Sequence, residues 1–231
     1  MKYTLLTILL CVSFAQSIAA QSFPKAYFCT RPGATLRYER REPGTEALSW
    51  THISKIGKAS GQTDGNVRFG FTTNIISGKM KSPLKSPVSS HVNIRPDGTV
   101  ELDVAEATLM AAKQRFSVLD FTARGGTSLL PAGMKPGDRL KDIHGVVEWS
   151  GIKYTVDYTE RKVLRRETVT VPAGTYDCVV VQEHKLEKAP FHKRDRITLT
   201  WYAIDYGMVR HDTMFTDGKM ETSEQLVSVT F

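Results

Sequence analysis

From Tyr27 to Phe231 the chain alternates apolar and polar residues in short runs broken by Gly, Pro and Asp-Gly pairs. A period of two is the repeat of antiparallel strands that bury one face, and about a dozen such runs fit the chain. Three tight hairpins stand out: His91–Val104 turning at Pro96-Asp97-Gly98, Met214–Thr222 turning at Asp217-Gly218, and Val146–Val156 turning at Ser150-Gly151. Each places a glycine where a tight turn calls for positive φ. The expected fold is all-β, a strongly curved antiparallel sheet arranged as a two-layer sandwich or a partly closed barrel.

One segment departs from the alternation. In Asp103–Phe116, Asp103 and Glu106 have the spacing of a capping box, and Ala105, Leu109, Ala112 and Phe116 fall on one helical face. A single short helix is expected there, plugging one end of the sheet rather than forming a lid, because apolar stripes usually face a core. Lys79–Pro87 is basic, polar and holds two prolines, which predicts an exposed loop.

The stretch Thr168–Glu183, TVTVPAGTYDCVVVQE, holds the densest local signal. Val169 and Val171 alternate with threonines, Pro172 fixes φ, and Gly174 allows a turn that a Cβ would resist. The run Cys178–Val181 is apolar on both faces, as in a strand covered on both sides. VPAGTYDC therefore reads as a connection between neighbouring strands. A phosphate-cradling loop needs stacked backbone N–H groups at a helix start, and no helix follows.

Composition adds the setting. Residues 1–20 carry Lys2, an apolar run from Leu5 to Ala15 and small residues ending Ile18-Ala19-Ala20, the layout of a secretory signal peptide cleaved after Ala20 or Ala19. The run is shorter than the roughly 20 residues of a spanning helix. Cys11 follows Leu10 inside it, against lipoprotein processing. The expectation is a signal peptide at 1–20, a single all-β domain at 21–231, and export to the periplasm or cell surface. The remaining cysteines, Cys29 and Cys178, are expected to pair in an oxidising compartment, contributing on the order of 4 kcal/mol by loop closure. The net charge of +7 loses only Lys2 with the signal. Its lysines and arginines are mixed with acids nearly everywhere, the pattern of solvated strand faces.

Thr168–Val181, together with Trp201-YAIDYGMV-Val209 and Leu130-PAGMKPGDRL-Leu140, resembles the exported bacterial β-proteins of domain-of-unknown-function family 3108 and its relatives. The resemblance covers roughly the carboxy-terminal half, and the Cys-bearing start is compatible with it. It implies a strongly curved antiparallel sheet and no activity, so it carries no functional residues over.

Catalytic constellations are sparse. The six histidines, His52, His91, His144, His184, His192 and His211, are dispersed, so no metal site is expected. His184 and His192 flank the Lys185–Phe191 segment, where a pair of surface histidines is the expectation. There is no G-x-S-x-G. Glu101 and Asp103 share a strand face, but a glycosidase draws its two carboxylates from separate places, and Asp103 is needed as a cap. Lys185, Lys188, His192, Lys193, Arg194 and Arg196 with Phe191 form a basic, aromatic cluster. In an exported protein it suits a solvated hairpin tip or a docking surface for an acidic partner better than nucleic acid. Val227, Val229 and Phe231 alternate as the last strand of an outer-membrane barrel would, yet charged alternate positions and unpaired Trp50, Trp149 and Trp201 deny a lipid-facing band. A small transmembrane barrel and a hydrolase are therefore minor alternatives.

The expected function is a non-enzymatic envelope protein without a cofactor. It either binds an apolar or amphipathic ligand, such as a lipid, on a concave sheet face or serves as a structural and interaction module for another envelope protein. Trp149, Tyr154, Tyr158, Trp201 and Phe215 are the candidate ligand-facing residues, though strand aromatics more often fill a core. For an interaction module, specificity is expected around Lys79–Pro87 and Glu183–Arg196.

Overall fold

The structure, a computed structural model, describes residues 23–45, 48–62, 64–77, 86–115 and 121–231, with the backbone alone at 77 and 110–115. The signal segment, Lys79 to residue 85 of the basic loop, and Phe116 lie outside the described residues.

The strands are β1 (Thr35–Arg41), β2 (Leu48–Gly61), β3 (Val67–Ser77), β4 (Val88–Ile94), β5 (Val100–Asp103), β6 (Phe121–Gly125), β7 (Thr127–Leu130), β8 (Ile143–Trp149), β9 (Ile152–Val171), β10 (Gly174–Ala189), β11 (His192–Ala203), β12 (Gly207–Met214) and β13 (Met220–Thr230), with one helix, α1 (Val104–Arg115). All thirteen join one antiparallel sheet in the order β6-β8-β9-β10-β11-β12-β13-β1-β2-β3-β4-β5-β7. There is no second sheet among the described residues, so of the two expected arrangements the partly closed barrel is the one found.

Its closure lies in a single run of chain. The two edge strands, β6 and β7, are separated only by Gly126, so residues 121–130 pair first with β8 and then with β5. The switch needs glycine: Gly125 has φ +70° and a Cβ there would stand 2.6 Å from the His144 carbonyl oxygen, while Gly126 has φ +83° and accepts a hydrogen bond from Val104 N at 2.6 Å. Helix α1 packs over this seam against β4, β6 and β8, with Ala105 buried. Its first turn is capped as expected, Glu106 N donating to Asp103 Oδ1 at 2.8 Å.

The hairpins form where their turn residues place them. Trp149 faces Ile152 across Ser150 and Gly151, at φ +48° and +76°. Thr99 N donates to Asp97 Oδ1 at 2.8 Å and Gly218 N to the Phe215 carbonyl at 2.9 Å. The last strand holds the centre of the sheet, because β13 pairs with both β12 and β1. It thereby joins the two halves of the chain.

VPAGTYDC is architectural. Gly174 pairs with Val171 across Pro172-Ala173, and Ala173 N reaches over to the Leu226 carbonyl on β13 at 3.2 Å. Tyr176 Oη donates to the Ala173 carbonyl at 3.2 Å, and its ring meets Tyr206 edge-on at 4.9 Å. Cys178, Val179, Val180 and Val181 are all buried, as expected of a strand covered on both faces.

The expected Cys29–Cys178 disulfide is not present. Both residues are free thiols, each 2% exposed. Cys178 Sγ–H donates to the Tyr176 carbonyl at 3.5 Å. Burial pushes both thiols up, with the neighbouring Asp177 and Glu167 carboxylates adding to it at Cys178, which reaches about 12. The thiolate that bond formation requires is therefore suppressed in the folded chain. Both cysteines act as small core residues.

Because neighbouring strands are antiparallel, their connections alternate between two ends. The β2–β3, β4–β5, β9–β10 and β11–β12 turns lie at one end, which the segment Phe23–Ala34 crosses. Asp205 N donates to the Ala26 carbonyl at 2.8 Å, and a Cβ on Gly98 would collide with the Lys25 carbonyl. Phe23 and Phe28 pack on Phe69 with ring centroids 4.9 and 5.9 Å apart. The β8–β9, β10–β11 and β12–β13 hairpins form the opposite rim.

Candidate functional site

Alternation identifies the inward face. His52, Ser54 and Ile56 of β2, Phe71 and Thr73 of β3, Tyr202 of β11 and Met208 of β12 all line one cavity. The β2–β3 and β11–β12 pairs are separated in the sheet by β13 and β1, so the cavity their residues share lies on the concave side. The cavity is about 310 Å³, about twice the ~150 Å³ that admits a benzene ring and at the lower end of ligand sites. Tyr27, Phe28 and Cys29 of the crossing segment also line it, and Val92, Val100, Leu102 and Leu130 make its far wall aliphatic. Polar groups are few. Ser54 Oγ and Thr73 Oγ1 bond each other at 3.4 Å, and burial pushes the Tyr38 and Tyr202 phenols above their ordinary range.

Towards the rim the inward face turns from apolar to charged. Arg40, two residues beyond Tyr38 on the same face, pairs with Glu224 of β13, its Nε donating to Oε2 at 2.7 Å. The other carboxylate oxygen meets His52 Nδ1 at 3.0 Å. Burial alone would raise the Glu224 carboxyl, but the His52 hydrogen bond and the Arg40 and His52 charges outweigh it and hold the group down at about 2. His211, beside Glu224 in the register, bonds Thr200 at 2.8 Å, and burial drives its pKa down to about 4. Arg40–Glu224–His52 thus partitions the apolar cavity from a polar groove of about 490 Å³ at the rim, bordered by Arg40, Trp50, Arg194, Phe215 and Glu221.

A second buried pair lies deeper on β9 and β10. Arg161, 2% exposed, donates to Glu183 Oε1 at 2.6 Å, to the Lys141 carbonyl at 2.7 Å and to Ser128 Oγ at 3.2 Å. One guanidinium thereby ties the β7 edge and the 131–142 segment to the centre of the sheet.

The aromatic residues singled out from sequence do not line the cavity. Trp149 packs on Phe121, centroids 5.5 Å apart, at the β6 edge. Tyr154 donates to Glu187, and Tyr158 lies beneath the Lys185 ammonium at 5.5 Å, both on the inward face but filled in. Trp201 points the opposite way from its neighbour Tyr202, covered by the Arg210 guanidinium at 4.6 Å and bonded to Glu167. Phe215 borders the rim groove under Arg196, 4.4 Å from its ring. The aromatic lining is instead Tyr27 and Phe28 of the crossing segment with Tyr38, Phe71 and Tyr202 of the strands, and the shared inward phase of the three strand residues is a signal only once strand order is known.

The basic cluster also divides. The Lys185–Phe191 segment is strand up to Ala189, and only Pro190-Phe191 turns. Lys185, Arg194 and Arg196 face inward onto Glu187 and Glu221, leaving Lys188, His192 and Lys193 exposed with Phe191. His184 bonds Asp195 at 2.6 Å and stands opposite Ile197, away from His192. Glu101 is held by Arg95, and Asp103 caps α1. Among the described residues no three His, Cys, Asp or Glu side chains group as a metal site requires.

Comparison with known proteins gives family and fold. A family model described as DUF3108-like matches residues 78–226. Two solved structures share the fold. A protein described as exported, with a YmcC-like fold, from Bacteroides fragilis superposes with a TM-score of 0.67 at 18% identity, covering 90% of this chain and 100% of its own. A protein described as a lipoprotein, from Parabacteroides distasonis, gives 0.70 at 13% identity with the same coverage. No curated protein matches the chain.

Proposed function

The chain belongs to the DUF3108-like family, and from that premise we propose that it is a non-enzymatic protein of the cell envelope whose curved sheet takes the apolar part of a ligand into its interior. The carrying observation is the cavity of about 310 Å³ walled by aromatic and aliphatic side chains beneath the crossing segment. A sheet this curved could fill its centre with side chains; here Ser54, Thr73 and Ser128 stand at positions that larger residues would close. The signal-like first twenty residues support export; of the two proteins of similar fold, one is described as exported and the other as a lipoprotein.

The polar groups favour binding over catalysis. His52 is oriented by Glu224 as a general base would be, but the Ser54 hydroxyl on the same face bonds Thr73 instead. Cys29, the other nucleophile bordering the cavity, is raised by burial and stays protonated at neutral pH.

A cavity-filling variant tests the reading. Ser54→Leu is expected to abolish the fluorescence gain of an apolar naphthylamine probe while leaving the melting temperature within a few degrees. Unchanged probe uptake by the folded variant would place the ligand elsewhere.

A further inference from the structure

Three hairpin tips stand side by side on the open rim, at Ser150-Gly151, Pro190-Phe191 and Thr216–Gly218. Lys188 of β10 pairs with Thr155 of β9, and Ile197 of β11 with Met214 of β12, which brings the three tips to the same end. The middle one is unusual twice over. Phe191 is fully exposed, and its φ is +61°, a conformation in which a bulky residue is an outlier. On the adjacent tip Ile152 is 38% exposed. Exposed lysines surround the pair, Lys188 and Lys193 beside Phe191, Lys153 after Ile152 and Lys219 on the third tip. The nearby acids are partly engaged: Asp195 lies between His184 and Lys193 at 2.6 and 3.7 Å, Asp217 accepts from Lys219 N at 2.9 Å, and Glu148 stands opposite Lys153.

We infer that this rim docks on an anionic lipid surface, with Phe191 and Ile152 entering the interfacial layer and the lysines meeting the headgroups. A protruding aromatic without a surrounding groove suits a deformable interface better than a complementary protein patch, which would need a broad contact area. The rim arginines that could grip a carboxylate bidentately, Arg194 and Arg196, are already engaged by Glu221, leaving flexible lysines of the kind that accumulate at charged membranes. This inference is independent of the cavity reading.

Cosedimentation with phosphatidylcholine vesicles, with and without phosphatidylglycerol, tests it. Binding is expected only with the anionic lipid and is expected to weaken with salt. Phe191→Ser should weaken it about tenfold or more, and Lys188→Glu and Lys193→Glu about fivefold each. Phe191→Gly separates docking from folding, since it relaxes the backbone: the melting temperature should rise while vesicle binding is lost. The inference is overturned if folded protein ignores anionic vesicles or if Phe191→Ser binds them as well as the parent. It is equally overturned if soluble polyglutamate binds as tightly as vesicles regardless of Phe191, which would assign the rim to an acidic protein partner.

Discussion

At the scale of single residues, the interior charges decide how the protein responds to acid. Glu224 is held at about 2 in the fold against an ordinary value near 4.3, so its ionised form is stabilised by folding. That contribution, on the order of 3 kcal/mol, is complete above the unfolded value and disappears as pH falls towards 2. His211 carries the same sign from the opposite chemistry. Its folded pKa of about 4 lies below the unfolded one near 6.5, and protonation favours unfolding between those limits. Urea midpoints should therefore drop from about pH 6.5 downwards. His211→Asn should flatten the upper part of that fall and Glu224→Gln the lower part, whereas a wild-type midpoint indifferent to pH over this range would contradict both assignments. Arg161 is a harsher case. Arg161→Met strands Glu183 and should cost about 3–5 kcal/mol in chemical denaturation, with much of the loss recovered in Arg161→Met/Glu183→Leu. These roles were hidden in the sequence, because alternation shows that Arg161, Glu183 and Glu224 share a face with other residues without saying which face is inside.

At the scale of elements, local chemistry was legible and closure was not. Pro96-Asp97-Gly98, Ser150-Gly151 and Asp217-Gly218 announce their hairpins because the partners are next in sequence and the turn residues carry the geometry. The Asp103 cap and the doubly buried Cys178–Val181 strand are local in the same sense. By contrast Arg40 meets Glu224 across 184 positions, and no local pattern states that the last strand joins the first. Closure at Gly125-Gly126 was equally silent, since a Gly pair reads as an ordinary loop until its two flanks are seen on opposite edges. Gly125→Ala should destabilise the fold by about 2–3 kcal/mol, combining φ strain with the clash on the His144 carbonyl. Gly44→Ala, at φ +71° with open space around it, should cost only about 1 kcal/mol. Equal losses in thermal melts would remove the special place given to the seam.

At the scale of the whole molecule, one sheet is wrapped into a hollow body with a covered apolar end and a charged rim. The cysteines belong to this scale because they report how the core is held together. Both should resist thiol reagents in folded protein and react fully in denaturant without any reductant; a requirement for reductant would restore the disulfide and with it a different tether for the crossing segment. The cavity lining is illegible in the sequence for the same reason as the closure, since a cavity lined from eight strands and the crossing segment has no contiguous signature. The most direct test of the hollow's role is native mass spectrometry of the protein isolated from its own host. The account predicts a folded species carrying a non-covalent apolar adduct that dissociates on collisional activation and is missing from Ser54→Leu. A parent protein of ligand-free mass, prepared so that a known lipid carrier keeps its cargo, would contradict it.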